Sequence, residues 1–200
     1  MKKRTKALAL VFCAVLLVTA SVLGTMAYLT SQDSVENSFT IGNVKITLDE
    51  AKTTTAGELV ANSPRVKANE YHLLPGHTYV KDPTVHVSAT SEDCWVFVKV
   101  ENAISAYEGT TTIASQITTN GWTALAGQSG VYYKTWTKGS ATDLPVFGNF
   151  TIATNADTIT GWSSISATTT KVKVTAYAIQ KDGIETAAAA WAALNPASGS

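Results

Sequence analysis

Apolar residues recur at every second position through much of this chain. Val44, Ile46 and Leu48 alternate with Lys45, Thr47 and Asp49. Val85 and Val87 alternate with Thr84, His86 and Ser88, and Phe150 and Ile152 flank Thr151. Val96, Val98 and Val100 share one face of a strand, with Trp95, Phe97, Lys99 and Glu101 on the other. Val172, Val174, Ala176 and Ala178 alternate with Lys171, Lys173, Thr175 and Tyr177. One apolar and one wetter face per strand is the pattern of an antiparallel sheet packed on a second layer. Several such strands broken by turn residues predict an all-β fold, an antiparallel sandwich or barrel.

The phase slips once. Phe39 and Ile41 are apolar at odd positions, whereas Val44, Ile46 and Leu48 fall at even ones. Either a β-bulge at Gly42-Asn43 keeps both halves facing one core, or the first stretch belongs to a different sheet. Leu74-Pro75-Gly76-His77 reads as a turn, because Pro presets φ and Gly tolerates a positive one. Asn120-Gly121 reads as a tight turn before a strand over Trp122 to Leu125, and Val131 to Trp136 as the second arm of a hairpin. Residues 53–64 and 155–170 are polar and aperiodic and read as surface loops. The Ala-rich tail differs. Ile184, Ala188, Trp191 and Leu194 lie at near-helical spacing, which predicts a short helix over 184–194 ended by Pro196, with Trp191 and Leu194 docked on the strands.

The chain starts on another pattern. Lys2, Lys3, Arg4 and Lys6 precede an apolar run from Ala7 to Leu23, and Gly24-Thr25-Met26-Ala27 puts small residues where a signal peptidase needs them. Residues 1–27 are therefore expected to form a cleavable signal helix, cut between Ala27 and Tyr28, followed by a single domain over 28–200. The other reading is an uncleaved membrane anchor, since the run reaches the lower end of a span. Cys13 does not make a lipoprotein site, because Val11-Phe12 precedes it where a small residue is required.

Charge sharpens this division. The 200 residues carry 15 Lys+Arg and 15 Asp+Glu, a net of zero, but four of the basic groups lie in the signal. Beyond it 11 basic groups face 15 acidic ones, a net of −4. A weakly acidic chain without a basic block is not a nucleic-acid binder. Thr (30) and Ser (16) fill the place of charged residues, and β-branched Thr suits strands rather than a helical bundle. One cysteine, Cys94, would remain after cleavage, so no internal disulfide is available and stability must come from an ordinary core. Cys94 reads as a small core or strand-end residue, with a reactive or intermolecular thiol as the alternative.

Catalytic signatures are absent: there is no G-x-S-x-G, Walker loop, G-x-G-x-x-G or H-E-x-x-H. His72, His77 and His86, with Glu70 or Asp82, are the conceivable zinc set, but their spacing fits no helix-borne ligand pattern, and surface histidines around a turn are the plainer reading. Asp143 and Asp157 are isolated carboxylates and do not make a calcium site. Asn149-Phe150-Thr151 fits a glycosylation sequon but reads as core strand. Trp95, Trp122, Tyr132, Tyr133, Trp136 and Trp162 could form a sugar-binding strip, or else core and cross-strand pairs. No cofactor or metal is expected.

The stretch Gly24-Thr25-Met26-Ala27-Tyr28-Leu29-Thr30, leading into Asn37-Ser38-Phe39-Thr40-Ile41-Gly42-Asn43-Val44-Lys45-Ile46, resembles the N-terminus of the TasA/camelysin family. Leu74-Pro75-Gly76, Lys81-Asp82-Pro83-Thr84-Val85, Cys94-Trp95-Val96-Phe97-Val98-Lys99-Val100, Gly130-Val131-Tyr132-Tyr133-Lys134 and Ala176-Tyr177-Ala178-Ile179-Gln180 with Trp191 resemble later segments. The resemblance implies an antiparallel β-sandwich of jelly-roll or immunoglobulin-like type, export by a dedicated signal peptidase, location at the bacterial surface or in the biofilm matrix, and assembly into fibres by donor-strand exchange. Its partners would be further copies of itself and other matrix proteins, with membrane contact only through an uncleaved signal. The implied donor segment is 28–41, with Tyr28, Leu29, Val35, Phe39 and Ile41 as its apolar residues. Camelysin has been classed as a metallopeptidase, but no zinc-protease motif is present to carry that activity, so no enzymatic role is expected. A secreted structural protein is the leading expectation, a surface adhesion or carbohydrate-binding module the alternative, and a metallopeptidase the third.

Overall fold

A computed structural model describes residues 43–165 and 171–194, all within one compact unit. The signal over 1–27, the segment 28–41, the phase slip at Gly42 and the end of the tail at Pro196 lie outside the described residues. What is described is mostly β-strand in antiparallel sheets, with two short helices. The strands are β1 (Ile46–Asp49), β2 (Thr78–Val80), β3 (Thr84–Val87), β4 (Cys94–Asn102), β5 (Thr123–Ala124), β6 (Val131–Trp136), β7 (Asp143–Pro145), β8 (Asn149–Thr151) and β9 (Val172–Gln180). The helices are α1 (Ile113–Thr119) and α2 (Ala187–Leu194). One sheet has the order β1-β3-β7, a second pairs β2 with β8, and the largest runs β5-β6-β4-β9.

The apolar faces of the strands make the main core. Val96, Val98 and Val100 of β4 pack with Val85 and Val87 of β3, Phe150 of β8, and the buried Trp122 and Trp136. Tyr79 stacks on Phe150 with centroids 5.0 Å apart and anchors its hydroxyl to the His72 carbonyl at 2.8 Å. Val44, Ile46 and Leu48 pack on the same core from one side, and Val172, Val174, Ala176 and Ala178 of β9 from another.

Three expectations need correction. The odd face of β4 is not wet along its length: Trp95 and Phe97 are buried in a second cluster roofed by α2. Trp191 reaches both Phe97 and Tyr177, each with ring centroids 5.3 Å away, so the docking role expected of it is observed. The helix itself begins at Ala187 rather than Ile184. Gly183 turns the chain at φ 74°, and the Thr186 hydroxyl accepts from the Ala189 N–H, capping the first turn. Ile184 stays outside the helix and offers its carbonyl to Trp95 Nε1 at 2.9 Å.

Asn120-Gly121 is a turn before a strand as expected, but it closes the end of α1, where Asn120 N–H bonds to the Gln116 carbonyl and Gly121 takes φ 80°. Helix α1 had no counterpart in the strand-and-turn reading, and the strand after it shrinks to Thr123–Ala124. The hairpin into β6 is present as expected. Its Gly130 is required by contact, since a Cβ there would lie 2.5 Å from the Val100 carbonyl oxygen. The turn at Leu74–His77 is closed by His77 N–H to the Leu74 carbonyl. Residues 53–64 carry only the isolated bridge Thr53–Leu59, and 156–158 and 162–164 form 3-10 turns.

Candidate functional site

Strands β1 and β9 each end a sheet, and the two lie beside one another without pairing. Strand β9 pairs with β4 along all nine of its residues, from Val172 opposite Asn102 to Gln180 opposite Cys94. Just beyond its ends, Ala103 N–H bonds to the Lys171 carbonyl and Lys181 N–H to the Asp93 carbonyl. In an antiparallel ladder such pairs alternate, so the odd residues of β9 spend their backbone groups on β4. The N–H and C=O of Val172, Val174, Ala176, Ala178 and Gln180 therefore point away from β4. Among the described residues no strand receives them.

The side chains of β9 match this edge. Every residue from Val174 to Gln180 is half-buried, and the run carries no charge. Edge strands are ordinarily protected by charges, prolines or bulges. Here Lys171, Lys173 and Lys181 stand only at the ends. Strand β1 has the same parity and is better closed: the Leu48 carbonyl accepts from Lys67 Nζ, and Glu50 exchanges two hydrogen bonds with Val66. Near the end of β1 opens a cavity of about 490 Å³, lined by Leu48, Tyr71, Ile104, Phe150, Val172 and Val174, with Lys67, Lys171 and Lys173 among its other walls. Burial pushes the Tyr71 hydroxyl up to about 12, and it donates to the Val80 carbonyl.

Two polar groupings flank this region. On the outer face of β1-β3-β7, His86 lies between Asp143 (Nδ1, 2.7 Å) and Asp49 (Nε2, 2.9 Å). Arg65 closes the network through Asp49, Asp82 and the Thr84 hydroxyl. Burial would lower the His86 imidazolium, but its bonds to Asp143 and Asp49 outweigh that and raise it above its ordinary value. Burial likewise would raise the Asp49 carboxyl, yet Arg65 and His86 hold it below the usual range. The second grouping is buried: Glu50 is 4% exposed and Lys81 8%, with Lys81 Nζ on Glu50 Oε2 at 2.5 Å.

The histidines do not converge. His72 and His77 are exposed beside the turn, and His86 is committed to two carboxylates. Among the described residues no group of three His, Cys, Asp or Glu side chains could hold a metal ion. Asp82, grouped with the histidines in the sequence, instead takes the Arg65 guanidinium and the Ala51 N–H. Asp143 is bound to His86, and Glu70 and Asp157 are exposed.

Trp122 and Trp136 are buried, with their indole N–H groups on the Pro145 and Ala141 carbonyls, so neither is available to stack on a sugar. Trp162 packs on Tyr107, and Trp95 on Tyr133. Cys94 opens β4 as a buried free thiol, pushed up to about 11 by burial and by Asp93. That is the inert core cysteine of the plainer reading.

Ala27, Tyr28, Leu29, Val35, Phe39 and Ile41 lie outside the described residues, as does Cys13. The unpaired edge of β9 and the Glu50–Lys81 pair were not singled out from sequence. The uncharged stretch Val174 to Gln180 was the available signal for the first. Nothing in the spacing marked the second. No family model, no curated protein and no solved structure matches this chain. The likeness to the TasA/camelysin family rests on the quoted sequence segments alone.

Proposed function

We propose that this chain is a secreted structural protein of the bacterial cell surface or biofilm matrix, and that its copies join by β-strand addition. Its strands form a sandwich of jelly-roll or immunoglobulin-like type, and the segment 28–41 of one copy adds to the β9 edge of the next. The observation that carries this reading is the outer edge of β9, whose even residues aim their backbone groups outward over an uncharged, half-buried run. An added strand would satisfy those groups and cover the apolar seam.

The donor is suited to that edge. Leu29, Val35, Phe39 and Ile41 all have odd numbers, so an extended strand would set them on one face. Its charges, Asp33 and Glu36, are acidic, while Lys171 and Lys173 stand at the start of β9. The family resemblance points the same way, as do the signal and the missing catalytic signatures. Further copies are the principal partner, other matrix proteins are secondary ones, and the dedicated signal peptidase acts during export.

The test is electron microscopy and size-exclusion chromatography of the mature protein with and without residues 28–41. Polymers are expected from the full mature chain and monomers from the shortened one. A full mature chain that stays monomeric across pH and concentration would overturn the proposal.

A further inference from the structure

Glu50, Lys81 and Asn69 form a constellation that a purely structural role leaves unexplained. A buried ion pair adds little stability over apolar side chains of similar volume, because desolvation consumes most of the attraction. Here the carboxylate of Glu50 serves two nitrogen atoms. Oε2 accepts from Lys81 Nζ at 2.5 Å, and Oε1 accepts from Asn69 Nδ2 at 2.9 Å. The Asn69 amide is oriented on both sides. Its Nδ2 also donates to the Ala51 carbonyl at 2.8 Å, and its Oδ1 accepts from the Thr53 N–H at 2.9 Å. A flipped amide would put oxygen against two acceptors, so the network fixes the assignment. Tyr71 stands over the ammonium, 5.9 Å from ring centroid to Nζ, and Phe150 and Pro83 line the same space.

We propose that Lys81 and Asn69 are joined by an intramolecular isopeptide bond, formed within the folded chain with Glu50 as the proton carrier. Glu50 takes a proton from the Lys81 ammonium, which discharges both buried groups and frees the amine lone pair. Nζ attacks Asn69 Cγ, and the oxygen that gains charge is the one already held by the Thr53 N–H. Glu50 then returns that proton to the departing amide nitrogen and takes up the second proton that Nζ sheds as the amide forms, which it passes on to the ammonia. One N–C bond forms between Nζ and Cγ, the Cγ–Nδ2 bond breaks, and ammonia leaves. No oxidant, reductant or co-reactant is needed. The product closes residues 69–81 into a covalent loop around the Leu74–His77 turn. The described residues hold no disulfide, and such a loop restricts the unfolded state as a disulfide would. The proposal does not depend on the β9 edge, and either can fail alone.

The test is mass spectrometry of a tryptic digest of the denatured mature protein. An acylated Lys81 is not cut, so the expected product runs from Ala68 to Lys99 and is lighter than the sequence by one ammonia. Glu50→Gln and Asn69→Ala should both restore cleavage at Lys81 and the full mass. Separate unmodified peptides ending at Lys81 and Lys99 from the wild type would overturn the proposal. Ammonia loss with Lys81 still cut would also overturn it, because that marks a cyclised Asn69 without a cross-link. The wild-type digest decides even where a variant fails to fold.

Discussion

Strands β4 and β9 are each nine residues long and pair with one another from end to end, yet they hold opposite positions in the molecule. β4 is paired on both edges and covered on both faces, by the main core and by the cluster under α2. β9 shares the same two clusters, but none of its residues is fully buried, and its outer backbone pairs with no described strand. The difference comes from position in the sheet rather than from alternation, which the two strands share. β4 is where the fold is held, and β9 is the edge on which the proposed strand addition rests.

That contrast can be broken most strongly from the β4 side. Phe97→Ala removes a fully buried ring beneath Trp191 and should cost about 3–5 kcal/mol, read as a lower midpoint in chemical denaturation. A cost near zero would mean that α2 does not roof β4.

A pair of proline variants sharpens the contrast on β9 itself. Thr175 spends its N–H on β4, so Thr175→Pro should leave a carbonyl there unpaired and cost about 1–3 kcal/mol. Ala176 directs its N–H outward, so Ala176→Pro should cost less stability while suppressing assembly measured by light scattering. Equal destabilisation by the two variants would refute the assigned parity of the edge.

The smallest effect lies on the outer face of β1-β3-β7. His86 has its value raised in the folded state, so its contribution is complete below about pH 6.5 and is lost as pH rises through the folded value. Asp49 has the opposite sign: its contribution is present above its ordinary range and lost on acidification. The groups facing His86 are Asp49 and Asp143, with Arg65 beyond Asp49. His86→Gln should therefore destabilise at pH 6 and converge on wild type at higher pH. The effect should stay within about 1 kcal/mol, because the pairs are partly solvent-screened. A constant difference at all pH values would show that packing, not charge, is what His86 contributes.

Much of the strand framework was legible because period two is a local property. Val96, Val98 and Val100 announce a core face by spacing alone, and the structure places them there. Helix α1 was not legible. It is seven residues of mostly β-favouring type, held by Ile113 and Ile117 at i,i+4 and by the Thr112 side chain on the Ser115 N–H. The wet face expected of Trp95 and Phe97 failed for a nonlocal reason, since the cover comes from Trp191 almost a hundred residues later. The Glu50–Lys81–Asn69 constellation was hidden in the same way. Three ordinary polar residues from separate segments gain meaning only when the β1 end, the 66–69 segment and the β2 end converge.

Sequence alone determined that these residues alternate, that the tail is helical near Trp191, that turns fall at Pro75-Gly76, and that the basic charge at the start is separate from the acidic remainder. These follow from covalent neighbours and from steric preferences acting over a few residues. Tertiary structure decided which strand became central and which became an edge, which aromatic rings were roofed, and which carboxylate met which amine. Those outcomes depend on burial and on backbone pairing between distant segments, and neither is a property of any one stretch of chain.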